Sequence, residues 1–354
     1  MSAIQVPVFF HPRQLDHKPL YEWAFGERID HPETTHRAEN ILAALSDDPV
    51  FSIRPPVEFP AAWLRKLHDP RLSTLYQTAH ATLAADATFY PTVFPKRDQA
   101  QPNPMDIHQA GYFCFDAGTP LTPTTWEAAA WSAAAAHEAG LAVTDGDARL
   151  AYALCRPPGH HAQRDLFGGY CYFNNAAIVA ARIAERGRAV ILDIDFHHGN
   201  GTQAIFYSDP RVLVISLHGD PREFYPYFAG WAEETGAGEG AGLNLNIPLP
   251  AGADGQAYLR VLDELVLPRI RLFDPAAIVL SAGLDAYKDD PLGRFALDTA
   301  DFEAIGDRVG RLAKPVIAVQ EGGYCTESLG VNAVALLRGL RRGLSTGTTV
   351  AAAP

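Results

Sequence analysis

The sequence predicts a single-domain α/β protein: an open, mostly parallel β-sheet with helices on both faces. Short runs at 150–154, 189–195, 212–217, 276–280 and 316–319 are apolar almost throughout, as strands buried on both faces are. Helical stretches separate most of them, the mark of βαβ units whose right-handed crossovers place helices on both faces. His, Asp or Tyr follows each of these runs, and in open α/β sheets ligands bind beyond the carboxyl ends of the strands.

The helices follow from local signals. Thr124 and Glu127 fit a capping box ahead of an Ala-rich run that stops at Gly140. Residues 174–185 are rich in Ala, Ile and Val and end before Gly187, while 257–271 and 299–312 are amphipathic. The single domain is placed at 1–342. Residues 343–354 carry no periodic pattern and are expected to form a frayed tail.

Composition narrows the class. With 354 residues, 47% hydrophobic and 20% charged, the chain has material for a core and is not disordered. Asp and Glu number 41 against 29 Lys and Arg, a formal net charge of −12. No basic cluster is present to hold phosphates, so a nucleic-acid partner is not expected. No apolar run reaches the roughly 18 residues of a membrane span. The N-terminus lacks a basic start followed by an apolar stretch, so a cytoplasmic location is expected. The four cysteines, Cys114, Cys155, Cys171 and Cys325, form no CxxC pair and read as reduced thiols.

The chemistry lies in the segments after the strands. Asp193, Asp195 and His197 share parity on an extended segment, so Asp195 and His197 can reach one metal from one strand end. Asp285, after another strand, can supply a third ligand. Two carboxylates and one imidazole leave a position open for water and substrate, and suit Zn²⁺, with Fe²⁺ the alternative. His160 and His161 follow a Pro-Pro-Gly turn; one can act as general base and the other as acid or electrostatic partner. Asp193 and Asn200 are candidates to orient them by accepting from their second ring nitrogens. Tyr324 follows Gly322 and Gly323, and its hydroxyl can stabilise an oxyanion.

These segments, RPPGHHA (156–162), GGYCYFNNAA (168–177), DIDFHHGNGT (193–202), SAGLDA (281–286) and EGGYC (321–325), resemble the zinc-dependent histone deacetylase-like amidohydrolases of the arginase/deacetylase superfamily. Residues 216–250 and the long N-terminal stretch 16–42 are similar to the acetylpolyamine amidohydrolase branch. The resemblance implies zinc on Asp195, His197 and Asp285, the catalytic pair His160 and His161, and Tyr324 as transition-state donor. Asn200 stands where many deacetylases carry Asp. Gly169, Tyr170, Tyr225, Leu292 and Gly322 match positions along the substrate tunnel; many relatives have Phe at the two tyrosine positions. Leu292 replaces an acid that marks one polyamine-selective branch. Two structural K⁺ sites are implied, one at Asp193, Asp195, His197, Ser216 and Leu217, the other at Phe206, Asp209, Val212 and Leu243. The implied activity is removal of acetyl groups from small acylated amines such as acetylputrescine or acetylcadaverine by a homodimer. The alternatives are deacetylation of acyl-lysine in proteins, hydrolysis of other small amides, and a non-catalytic metal- or ligand-binding module. Asp16, Glu22, Asp106 and Asp116 are candidates to hold a distal ammonium.

Overall fold

The apolar runs pair edge to edge into one parallel sheet. The structure, a computed structural model, describes residues 5–57, 61–146 and 148–351. The strands are β1 (Val6–Phe9), β2 (Tyr21–Ala24), β3 (Glu27–Asp30), β4 (Phe51–Arg54), β5 (Leu150–Ala153), β6 (Ala189–Asp193), β7 (Val212–Gly219), β8 (Asn244–Leu249), β9 (Ala277–Ala282) and β10 (Val316–Gln320). Eight of them lie in the order β4-β1-β5-β10-β9-β6-β7-β8, and β2 and β3 form a separate antiparallel hairpin. Every pairing in the large sheet is parallel. The four adjacent central strands β5, β10, β9 and β6 therefore end on one edge, and their following loops meet.

The helices are α1 (Thr35–Ser46), α2 (Ala61–Leu67), α3 (Pro70–Thr82), α4 (Thr125–Thr144), α5 (Asn175–Ala184), α6 (Asn200–Phe206), α7 (Gly255–Val261), α8 (Leu267–Phe273), α9 (Thr299–Gly310) and α10 (Thr326–Ala351). Alternation along the strands sorts the core into two layers. Tyr152, Leu192, Ile215, Leu280 and Ala318 pack with Ile41 of α1, Ile270 of α8, Phe302 of α9 and Leu336 of α10. Ala151, Ile191, Val214, Val279 and Ile317 face Leu75 of α3, Ala136 of α4 and Ile178 of α5. Leu280 is wholly buried in the middle of the sheet. Leu280→Ala is expected to cost about 2–5 kcal/mol of stability, the range for a core leucine whose cavity does not collapse. A denaturant midpoint unchanged from wild type would contradict this.

Four local expectations are corrected. Thr124 precedes α4, but its side chain makes no cap: Oγ1 donates to the Asp16 carbonyl at 2.9 Å, and Glu127 pairs with Arg13 at 2.9 Å. Both side chains are spent on holding the N-terminal segment, and α4 runs past Gly140 to Thr144. The predicted helix over 257–271 is split by a π-turn, Leu262–Val266, ahead of Pro268, whose ring nitrogen cannot complete the α-helical ladder. The region expected to fray from 343 is helical to Ala351. Leu340 and Leu344 are buried, and Arg342 bonds Glu303 and Asp307 of α9, so packing extends the helix where periodicity alone gave no signal. In the large sheet, strands β1, β4 and β8 were not expected: Pro7 interrupts β1, β4 alternates Phe51 and Ile53 with polar Ser52 and Arg54, and β8 alternates polar Asn with apolar residues at the sheet edge. Among the described residues no helix is long and apolar enough to cross a membrane.

Candidate active site

The loop after β6 leaves the strand at Asp193 and bends. Asp195 and His197 thus lie on the bend rather than on a continuing strand, and Asp193 turns its carboxylate to His160 instead. The loop after β9 brings Asp285. The His197 Nδ1 nitrogen stands 2.9 Å from Asp285 Oδ2 and 3.4 Å from Asp195 Oδ1, and the three residues' ligand atoms all lie within 4.8 Å of one another. Ligands on a tetrahedral ion with bonds of about 2.0–2.1 Å stand about 3.3 Å apart, so the set fits one divalent ion. Electrostatics agree. Asp195 and Asp285 are both fully buried. Burial, then repulsion from Asp195, pushes the Asp285 pKa up to about 7. A cation between them removes both costs. The remaining carboxylate oxygens are held from behind, Asp285 Oδ1 by the Phe196 N–H at 2.7 Å and Asp195 Oδ2 by the Gly322 N–H at 2.7 Å. Gly322 therefore sits against the ligands and is not among the residues that line the cavity, a correction to its expected place in the tunnel. A Cβ on Gly322 would meet Asp195 Oδ2 and Asp285 Oδ2, each at 2.6 Å, so that position requires glycine.

The loop after β5 brings the two histidines. His160 Nδ1 lies 2.9 Å from Asp193 Oδ2, and His161 Nδ1 lies 2.7 Å from Asn200 Oδ1. With amide oxygen Oδ1 as its partner, His161 Nδ1 donates, and Nε2 keeps its lone pair. Burial, then repulsion from His160 and His197, holds the His161 pKa well below the usual 6.5. Burial lowers that of His160 too, but Asp195 and Asp193 outweigh it and raise it to about 10. The two neighbours thus differ in preference: burial favours the neutral form of His161, and the carboxylates beside His160 favour its charged form.

Tyr324 arrives on the loop after β10. Asp290 Oδ2 accepts the Tyr324 and Cys325 N–H groups at 2.6 and 3.0 Å. Burial raises the phenol well above its usual 10, so the hydroxyl stays protonated and able to donate.

A cavity of about 760 Å³ opens onto this set; His161, His197 and Tyr324 are in its wall, together with Gly169, Tyr170, Tyr225 and Leu292. Gly169 and Tyr170 both have positive φ, 57° and 63°, and this double left-handed turn aims the Tyr170 ring inward. A Cβ on Gly169 would meet the His161 ring at 2.2 Å. Each tyrosine has a carboxylate partner: Tyr225 donates to Asp116 Oδ2 at 2.7 Å, and Tyr170 hydrogen-bonds Glu22. Burial first, then Asp116, raises Glu22 to about 7, and its bond to Tyr170 pulls the other way. Of the four acids considered for a distal ammonium, Glu22 and Asp116 line the cavity and Asp16 and Asp106 do not. Asp106 instead caps a 3₁₀ turn through the His108 N–H.

The residues matched to cation sites lie in two places. Ser216 Oγ is 2.8 Å from His218 Nδ1, at the site end of β7. Phe206, Asp209, Val212 and Leu243 gather at the opposite end of that strand, where the Leu243 carbonyl accepts from Val214 N–H at 3.0 Å and the Asp209 carboxylate pairs with Arg211.

Sequence reasoning missed the supports. Arg37 donates to the carbonyls of Gly323 and Glu321, both at 2.5 Å, pairs with Glu33 at 2.7 Å, and lays its guanidinium over the Tyr324 ring, 4.8 Å from its centre. Arg156 bonds Glu33 and Gln14. The N-terminal segment is thereby bolted to both the histidine loop and the tyrosine loop. Glu321 Oε2 accepts the N–H groups of Gly159 and His160 at 2.7 and 3.0 Å, tying those loops to each other. The available signal was Arg37 itself, an arginine in line with Ala38, Ile41 and Leu45 on the buried face of α1.

Known proteins are similar to this chain in sequence and fold. Residues 31–340 match the model of the histone deacetylase domain. The chain is 42% identical to acetylpolyamine amidohydrolase 1 of Pseudomonas aeruginosa over 315 residues, covering 87% of this chain and 90% of that protein. It is 32% identical to histone deacetylase 8 of Arabidopsis thaliana over 344 residues, covering 92% of this chain and 84% of that one. The crystal structure of the acetylpolyamine aminohydrolase of Burkholderia pseudomallei superposes with a TM-score of 0.90 at 40% identity, covering 96% of this chain and 99% of that one. A match across the sheet, the strand-end loops and the N-terminal support is more than a shared topology: the chain belongs to the histone deacetylase family.

Proposed function

We propose that this protein is a zinc-dependent amidohydrolase that removes acetyl groups from acetylated polyamines such as acetylputrescine and acetylcadaverine. The observation that carries the reading is the cavity, which joins a three-ligand metal set, a neutral histidine and a protonated tyrosine to walls backed by two carboxylates. Asp195, His197 and Asp285 would hold the ion. When bound, it supplies Lewis-acid polarisation of the amide carbonyl and a more acidic water.

The chain's own groups do the rest. His161 Nε2 takes a proton from the water that attacks the acetyl carbon, and Asn200 keeps its ring oriented. Tyr324 donates to the oxygen as it gains charge. His160, held cationic beside Asp193, stabilises that charge, and the histidine pair returns a proton to the departing amine. Tyr170 and Tyr225 confine a thin aliphatic chain, and Glu22 and Asp116 attract its far ammonium. K⁺ at the two matched sites is part of the same reading, as a structural ion.

The enzyme is expected to act as a homodimer. The tip of the β2–β3 hairpin exposes Phe25 at 94%, beside the half-exposed Trp23, Tyr227 and Phe228 around the cavity mouth. A second copy covering this patch would narrow the entrance and exclude folded protein substrates. Two measurements test the proposal together. The kcat/KM for acetylputrescine or acetylcadaverine should exceed that for an acetylated histone peptide by at least about tenfold, or about 1.4 kcal/mol. Sedimentation should give a two-chain mass. A monomer that treats the peptide as well as the diamines would favour the acyl-lysine alternative.

A further inference from the structure

We infer that Arg294 forms a carboxylate subsite at the mouth of this cavity, fitting the enzyme to ω-N-acetylated α,ω-diamino acids, of which free N6-acetyl-lysine is the simplest probe. The inference rests on the amidohydrolase reading above and names a further class of substrate for the same site.

Arg294 follows Leu292 by two residues in the loop after β9 and lines the cavity with Pro291 and Leu292. Apart from His161 and His197, it is the one basic residue among the described residues in that wall. Its Nη1 donates to the Pro291 and Gly293 carbonyls at 3.0 and 2.6 Å. Those bonds hold the side chain at the rim and leave the donors on Nε and Nη2 for a ligand. No carboxylate among the described residues pairs with it. A guanidinium has the fork geometry that a carboxylate accepts.

The same wall carries four acids, Glu22, Glu27, Asp116 and Glu223, of which Glu22 is only 6% exposed. The mouth therefore presents both signs. A diamine offers only an ammonium to this arrangement, and Arg294 repels it. An α-amino acid offers an ammonium and a carboxylate on one carbon, and uses both. The reaction is the same hydrolysis: water adds to the acetyl carbon, the carbon–nitrogen bond breaks, the side-chain nitrogen takes a proton, and acetate and the free diamino acid leave.

The test compares N6-acetyl-lysine, N6-acetyl-lysinamide and acetylcadaverine, which share one acetylated chain and differ in the group at its far end. In wild type, N6-acetyl-lysine should be hydrolysed with kcat/KM at least about fivefold above its amide. Arg294→Gln should cut the ratio of kcat/KM for N6-acetyl-lysine over acetylcadaverine by about tenfold and raise acetylcadaverine turnover, since a like charge is gone. Arg294→Lys should restore part of that ratio. Loss of both substrates in parallel would assign Arg294 to holding its loop, and an unchanged ratio would leave it no ligand; either overturns the inference. Failure of wild type on acetylcadaverine itself would instead remove the amidohydrolase reading on which the subsite rests.

Discussion

Purified protein stripped with a strong chelator is expected to lose amide hydrolysis by at least about 10³-fold, the equivalent of about 4 kcal/mol of transition-state stabilisation. Added Zn²⁺ should restore it, and the untreated protein should hold about one catalytic divalent ion per chain, as an open three-ligand site does. The physical basis is the pair of fully buried carboxylates, Asp195 and Asp285, facing one imidazole. Two variants localise the effect. Asp285→Ala leaves His197 Nδ1 without its partner at 2.9 Å. Gly322→Ala keeps every ligand but pushes a methyl to 2.6 Å from an oxygen of each aspartate. Both should lower metal content as read by mass spectrometry. Full activity in demetallated protein would remove the assignment.

Tyr324→Phe is expected to lower kcat by about 10²–10³, the usual loss for one oxyanion donor. Metal content should stay the same, because no ligand atom is changed. The phenylalanine ring keeps the place under Arg37, and the backbone bond to Asp290 survives, so the loop should hold its shape. The loss should appear equally in kcat and kcat/KM, as it does when an interaction is made only in the transition state. A near-wild-type kcat would move the oxyanion role to another group.

The chemistry of the site was legible because it is carried by residue types that a core does not use at strand ends. Five buried apolar runs stood out by burial pattern, and His160, His161, Asp195, His197, Asp285 and Tyr324 stood just beyond them. β1 was masked by Pro7, and β4 and β8, which alternate polar with apolar residues, gave no such run. The capping signal at Thr124 was present in the sequence but spent elsewhere, because Asp16 and Arg13 arrive from a hundred residues away. Glu22 and Asp116 could not be told from Asp16 and Asp106 by composition, since all four are acids in irregular or edge segments.

The sequence by itself determined the fold class, a candidate donor set for a divalent ion and the two adjacent histidines as candidates for base and acid partner, because each is a local property: periodicity, residue chemistry, and position after a strand. Only the tertiary structure decided that Asp193 serves His160 and that Asn200 serves His161. It also decided that Gly322 backs the ligands, that Arg37 and Arg156 clamp two loops, and that Arg294 shares a cavity wall with acids it does not pair with. Those facts depend on which strands become neighbours. The order β5-β10-β9-β6 brings together segments more than a hundred residues apart, and no spacing within one segment encodes the distance to another.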